Sequence, residues 1–293
     1  MRYVVAVSGG VDSVALLHML FNGNLPNTTY QIQPTELIVA HFDHGIRPES
    51  AADARFVAEL AAKYELPFET KREELGSKAS EELARTRRYE FLRGLAKKHN
   101  AKIVTAHHCD DVIETIAINL TRGTGWRGLA VLDSPDIERP LLDTTKPNLI
   151  AYAKQHKLEW REDVTNQDTK YLRNDLRQKL SKLDDSSRQL LQRYRNRQVV
   201  LRHEVDNECK KLINKSPYSR HTFITVPDAI ALELLRTIFI NEVGVGPTRP
   251  QLGRTLHSIK VLGSGKRYEV AAGISLRFTK TNFVVEVAAK VVS

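Results

Sequence analysis

Reactive and phosphate-binding side chains cluster in three short segments of the 293-residue chain. The first is Ser8, Gly9, Gly10, Val11, Asp12 and Ser13, between an apolar run that starts at Tyr3 and a helical pattern from Val14 to Phe21. Two glycines at a strand-to-helix turn let the backbone approach a phosphate, and the helix that follows offers unpaired N–H groups and the positive end of its dipole. These six residues form a candidate nucleotide-phosphate cradle. It lacks the lysine of the Gly-x-x-x-x-Gly-Lys-[Ser/Thr] loop, which argues against ordinary kinase and ATPase readings. Asp12 would hold magnesium or orient the loop amides, with a helix N-cap as its plainer role.

The second segment, His41 to Ser50, sets two histidines, two carboxylates and an arginine immediately after an apolar strand. Asp43 is a candidate magnesium ligand or base, and Arg47 could meet a phosphate or carboxylate bidentately. Ser50 and Asp53 read more plainly as a capping-box-like helix start. The third segment runs from Thr105 to Thr115. With a helix starting near Asp110, His107 and Asp111 lie four apart near its first turn, and Asp110 and Glu114 share a face. A zinc site at His107, His108 and Cys109 is disfavoured, because adjacent side chains diverge and no second ligand pair has suitable spacing.

Two further groups are basic. Arg85 and Arg88 lie at i, i+3 on one helical face with Glu82, a pattern that often only stabilises a helix. Arg122 to Leu129 surrounds Trp126 and Arg127 with glycines, which predicts a flexible basic loop able to stack on a base.

Strand and helix patterns alternate through the first half and carry these groups. Strands are expected at 3–7, 36–42, 67–72 and 102–106, and helices at 12–21, 50–64, 80–99 and 110–121. Such alternation predicts an α/β fold, a parallel sheet with helices on both faces. All three segments then fall beyond strand C-termini, where ligands bind in such sheets. A helix is expected at 146–156, and a nucleotide-binding α/β domain over 1–180. Residues 181–293 should form a mainly helical domain: a charged helix over 186–213, helices at 227–242 and 248–261, and a small β element over 266–287.

The net charge is +9, and between Ala151 and Arg220 stand 17 Lys and Arg against 10 Asp and Glu. That local excess suits a polyanionic partner, or a solvated helical face. No apolar run approaches ~20 residues and the first strand begins at once, so no membrane span or signal peptide is expected, and the location expected is cytoplasmic. Cys109 and Cys209 form no C-x-x-C pair, which argues against a disulfide framework, a zinc ribbon or an iron–sulfur site.

Taken together, Ser8 to Ser13, His41 to Ser50, His107 to Thr115, Arg122 to Leu129, Arg139 to Leu142, Trp160 to Asn166 and Tyr171 to Arg177 resemble the tRNA(Ile)-lysidine synthetases over roughly residues 1 to 180. The cradle alone is shared with other AMP-forming, pyrophosphate-releasing enzymes. The resemblance implies an adenine nucleotide alpha hydrolase-like fold, and ATP and magnesium as cofactors. It implies ligation of free L-lysine to the wobble cytidine, position 34, of an isoleucine tRNA through an adenylated cytidine, which changes the codon read from AUG to AUA. By the same resemblance Asp12, Asp43, Asp111, Glu114 and His107 are catalytic candidates, with Asp12 and Asp111 toward magnesium. Arg47, Arg85, Arg88, Arg122, Trp126, Arg127, Arg173, Asn174 and Arg177 are candidates for substrate and tRNA, and a homodimer is a family expectation.

Two features depart from the pattern. Val112 stands where a polar residue, often Gln, is expected, and the chain matches a short form without the family's last C-terminal domain, whose tRNA contacts the basic 151–220 region would replace. Two other readings compete: a PP-loop tRNA thiolase, which needs sulfur-handling cysteines, and a nucleotide-sensing module that binds ATP without releasing pyrophosphate.

Overall fold

The computed structural model describes residues 1–26, 32–45, 50–76, 79–161, 176, 179–180, 183–213 and 215–288. Arg47, Arg173, Asn174 and Arg177 lie outside the described residues. The chain packs into two compact units, Met1–Val199 and Val200–Ser293.

The first unit is built on β1 (Arg2–Ala6), β2 (Leu37–Asp43), β3 (Phe68–Arg72), β4 (Ala101–Val104) and β5 (Ile137–Glu138), in the order β3-β2-β1-β4-β5 and parallel throughout. Its helices are α1 (Val11–Phe21), α2 (Ser50–Lys63), α3 (Glu81–His99), α4 (Cys109–Thr121) and α5 (Lys146–Gln155). Successive strand residues point to opposite faces, so each β-branched run feeds two cores. Val5, Val39 and Val104 pack with Leu16, Leu17 and Leu20 of α1, Val57 of α2 and Leu149 of α5. Their neighbours Val4, Ile38 and Ile103 pack with Tyr89, Leu92 and Leu95 of α3. Every residue of β2 is buried, as a strand covered on both faces requires. Each fully buried Val, Leu or Ile contributes about 1.5–3 kcal/mol, so this sandwich fixes the strand ends on which the site stands.

The expected α/β class and the principal elements are present. The two-residue β5 was not expected; it is too short for periodicity to reveal. Because β1 pairs with β2 on one side and β4 on the other, the strand order reverses at β1, opening a crevice between the C-terminal ends of β1 and β4.

A long helix, α6 (Asp185–Leu212), carries the division between the units at Val199, whereas the sequence pattern places a boundary at 180. The difference arises because the early turns of α6 bond within the first unit. Gln192 donates to the Leu142 carbonyl at 3.0 Å and to Asp143 at 2.8 Å, and Arg195 donates to the Val131 carbonyl at 3.0 Å.

The second unit adds β6 (Tyr218–Ser219), α7 (Arg220–Thr225), α8 (Asp228–Val243), α9 (Arg249–Val261), β7 (Arg267–Ala271), β8 (Ile274–Phe278) and β9 (Asn282–Val287). Its antiparallel sheet has the order β6-β9-β8-β7 and shares a core with Leu235, Phe239, Leu256 and Ile259. Buried Arg220 donates to the carbonyls of Ile259 and Leu262, each at 2.7 Å, and so caps the C-terminus of α9. Among the described residues no helix is long and apolar enough to cross a membrane.

Candidate nucleotide site

The cradle is closed by its own hydroxyls. Ser13 Oγ donates to the Gly10 carbonyl at 2.9 Å and accepts the Ser8 N–H at 3.2 Å. Gly9 has φ +92°, a backbone state that side chains other than glycine rarely adopt. Gly10, not Asp12, is the N-cap of α1, so Val11, Asp12 and Ser13 open the helix with amides that have no intrahelical partner. Asp12 is therefore free of the capping role. Its two oxygens each accept from Lys146 Nζ at 2.7 Å.

Across the crevice, α4 starts at Cys109 with His108 as N-cap. The His108 N–H donates to Asp111 Oδ2 at 2.9 Å. Its Nε2 lies 3.7 Å from Asp12 and 3.6 Å from Asp111, while its Nδ1 faces Asp110 at 3.4 Å. Burial opposes the imidazolium, but Asp110, Asp111 and Asp12 outweigh it and raise the pKa of His108. Asp110 accepts the Lys146 N–H at 2.8 Å and pairs with Arg188 of α6. Although burial opposes its charge, His108, the Lys146 amide and Arg188 hold that carboxyl well below the usual range. Of the face expected to carry Asp110 and Glu114, Asp110 lines the crevice and Glu114 is buried.

At the end of β2, His41 Nδ1 donates to the Val7 carbonyl at 2.8 Å and so ties the strand to the residue before the cradle. Buried Asp43 accepts the Gly45 N–H at 2.9 Å and pairs with Arg72 at 3.1 Å. Burial would raise its pKa, but the Gly45 amide, the Ser50 hydroxyl, Arg72 and His41 bring it down. Ser50 and Asp53, expected to be structural, both touch this region. Ser50 bonds Asp43, and Asp53 pairs at 3.2 Å with Arg161, whose N–H donates to the Gly9 carbonyl at 2.9 Å. Phe56, Leu158, Glu159, Trp160 and Arg161 line an open cavity of about 510 Å³ there.

His107 bonds differently from His108. Its Nδ1 shares a hydrogen bond with Thr105 Oγ1 at 2.8 Å. Burial drives its imidazole toward the neutral form, Asp111 pulls the other way, and the cations Arg139, Arg88 and Arg85 reinforce burial, so it is pushed down to about 3. The guanidinium groups of Arg85 and Arg88 lie over the Tyr89 ring at 5.0 and 5.4 Å, and buried Arg139 donates to the Leu132 carbonyl at 3.1 Å. The structure thus gathers Arg85 and Arg88 with an arginine from the Arg139 to Leu142 motif.

The 122–129 segment is less free than its glycines suggest. Trp126–Leu129 forms a 3-10 turn, Asn119 of α4 donates to the Gly128 carbonyl at 2.8 Å, and Thr124 donates to the Asn119 carbonyl at 2.9 Å. Arg127 covers the Trp126 ring at 4.7 Å, while Arg122 caps the end of α4. Val112 is fully buried with Ile116 and Val131, so the position expected to be polar serves the core here.

Sequence reasoning missed Arg72, Lys146, Arg161 and Arg188 as parts of the site. Arg161 lay inside a motif carried by the resemblance; the other three had no local signal. For magnesium, Asp12 and Asp111 are hard oxygen donors flanking one imidazole, but Lys146 engages both Asp12 oxygens, which leaves Asp111 as the carboxylate that fits the usual pairing of one or two carboxylates with substrate phosphates. Among the described residues no three His, Cys, Asp or Glu side chains are grouped to hold a metal by themselves.

A parallel sheet with a glycine turn at its switch point and carboxylates on the facing strand end defines an α/β protein of the nucleotide-binding kind. Residues 1–183 match the PP-loop domain family, and the chain belongs to that family. It is 32% identical over 289 residues to a tRNA(Ile)-lysidine synthase from Thermotoga maritima, covering 92% of this chain and 66% of that protein. To the tRNA(Ile)-lysidine synthase of Thermus thermophilus it is 41% identical over 182 residues, 59% of this chain and 34% of the relative. The chain therefore spans less than two thirds of the length of these relatives. A solved U34-tRNA thiolase from Methanococcus maripaludis shares the fold, with a TM-score of 0.53 at 17% identity, over 68% of this chain and 72% of that one.

Proposed function

We propose that this protein is a tRNA(Ile)-lysidine synthetase. In this reading ATP lies with its terminal phosphates on the cradle and the first turn of α1. The O2 of the wobble cytidine, position 34, attacks the α-phosphorus and pyrophosphate leaves. The ε-amine of free lysine then attacks C2 of the adenylated base, and AMP departs with the former O2. The product is lysidine, which reads AUA in place of AUG.

The observation that carries the reading is the meeting of the cradle with Asp12, His108, Asp110 and Asp111 across one crevice, in a chain similar to lysidine synthases over most of its length. Magnesium, held by Asp111 with the phosphates, would offset charge on the leaving pyrophosphate, while Lys146 engages both oxygens of Asp12. The lysine ammonium, with a pKa near ~10.4 in water, must lose a proton before attack. His107 and Asp43, both with lowered pKa, are poor acceptors for it. Of the remaining candidates, Asp111 and Glu114, Asp111 is given to magnesium in this reading, and Glu114 is left as the base. Arg85, Arg88 and Arg122, with Trp126 and Arg127, are proposed to meet the anticodon arm, joined by Arg47, Arg173, Asn174 and Arg177. Exposed Arg193, Tyr194 and Arg197 of α6 give the basic middle region a surface for phosphates and a stacked base. Assembly as a homodimer and a cytoplasmic location complete the proposal.

Sulfur transfer is the rival. Burial and Asp110 push the Cys109 thiol up to about 11, so it stays protonated at neutral pH and is a poor sulfur carrier. The deciding experiment incubates the full chain with labelled lysine, ATP, magnesium and isoleucine tRNA bearing a cytidine wobble base. Label should enter the tRNA with release of AMP and pyrophosphate; unlabelled tRNA beside an active nucleotide site would refute lysidine formation.

A further inference from the structure

The cradle lacks a lysine in sequence, yet a lysine ammonium stands at its mouth in space. Lys146 comes from 134 residues away and places Nζ 2.7 Å from both oxygens of Asp12, at the second position of α1. Its backbone is pinned as firmly: the Lys146 N–H donates to Asp110 at 2.8 Å, and Pro147 follows it in the first turn of α5. Helix α5 packs with α1 through Leu149, and Tyr152 bonds His18 at 2.9 Å.

Stability alone does not account for this arrangement. The Lys146 side chain is 39% exposed, and an exposed ion pair of that kind contributes little to stability. Electrostatics at the rim point elsewhere. Asp12, Asp110 and Asp111 crowd the place where a polyphosphate would meet the α1 amides; Arg188 answers Asp110, and Lys146 answers Asp12. An ammonium has three N–H donors, and two suffice for the Asp12 oxygens.

We propose that Lys146 is the phosphate-contacting lysine of this site, supplied by the start of α5 in place of the one missing from the loop. Asp12 holds the ammonium in position, and the remaining N–H meets the β,γ-phosphates of ATP. When the bond between the α-phosphorus and its bridging oxygen breaks, the electron pair goes to pyrophosphate, and Lys146 stabilises that charge without transferring a proton. The inference rests on the ATP reading above but needs neither tRNA nor lysine for its test.

Binding of inorganic pyrophosphate and of AMP, each with magnesium, is measured by calorimetry for the full chain and for Lys146→Met and Lys146→Arg. Loss of one charged hydrogen bond should weaken pyrophosphate by about tenfold or more in Lys146→Met, with partial recovery in Lys146→Arg and little change for AMP. In the unaltered protein, pyrophosphate but not AMP should protect Lys146 from acylation by an amine reagent, read by mass spectrometry; this arm stands even where a variant folds poorly. Normal pyrophosphate affinity in Lys146→Met, or acylation of Lys146 at the same rate with and without pyrophosphate, overturns the assignment and leaves an ion pair only. A wild-type chain that binds neither ATP nor pyrophosphate refutes the nucleotide reading itself.

Discussion

Adjacent histidines with opposite proton linkage make a sharp test of the electrostatics. His107 is pushed down to about 3 by burial and by Arg139, Arg88 and Arg85, against Asp111. In the unfolded chain it should titrate near ~6.5. At pH 8 both states are neutral there and His107 adds no proton-linked term. Below about pH 6.5 the unfolded chain takes up a proton that the folded one refuses, so stability falls as pH falls. At pH 5 the accumulated difference is about 1.5 pH units at 1.36 kcal/mol each, or about 2 kcal/mol. His108 works in the other direction: its raised pKa stabilises the fold at low pH, and that contribution is lost as pH rises through its folded value. The perturbation is His107→Gln, which keeps a neutral polar group beside Thr105 and removes the proton. Urea unfolding of both proteins, followed by fluorescence, gives their stability difference at pH 8 and pH 5. Relative to the variant, the parent should lose about 2 kcal/mol over that range. A difference constant to within about 0.5 kcal/mol, with equal denaturant slopes, would show that His107 charges normally and that the three arginines do not act on it.

Three other outcomes are expected. Arg188→Met removes the partner of Asp110 at side chains only 13% and 22% exposed, and should destabilise the first unit by about 2–3 kcal/mol in urea; a loss under about 0.5 kcal/mol would make the pair ornamental. Gly128→Ala would bring a methyl to 2.6 Å from Thr124 Cβ, so thermal unfolding should show a loss of about 1–3 kcal/mol, and quenching of Trp126 should rise as the turn loosens; an unshifted midpoint would contradict the tethered loop. Binding of tRNA should weaken steeply with salt, its log–log slope shrinking by about 0.7–0.9 for each phosphate contact removed in Arg85→Ala or Arg88→Ala; a flat response would remove the basic face from the substrate.

Features whose physics is local could be read without the fold. β-branched runs, helical spacing and a Gly-Gly turn each act within a few residues, so the parallel sheet, the cradle and the three rim segments were legible. So was the mixed chemistry of His41 to Ser50 and His107 to Thr115. The short β5 was too brief for any period, and the 122–129 segment looked flexible because its restraint comes from the Asn119 side chain on a neighbouring helix. Val112 is apolar because it faces a core assembled from residues up to Leu142. Which charges meet depends on packing between distant segments. Arg188 reaches Asp110 from 78 residues away, Lys146 reaches Asp12 from 134, and Arg72 closes on Asp43 from the next strand. Those encounters depend on how α5, α6 and β3 pack, and the pKa values of the site follow from them. The sequence named the carboxylates; packing chose their cations.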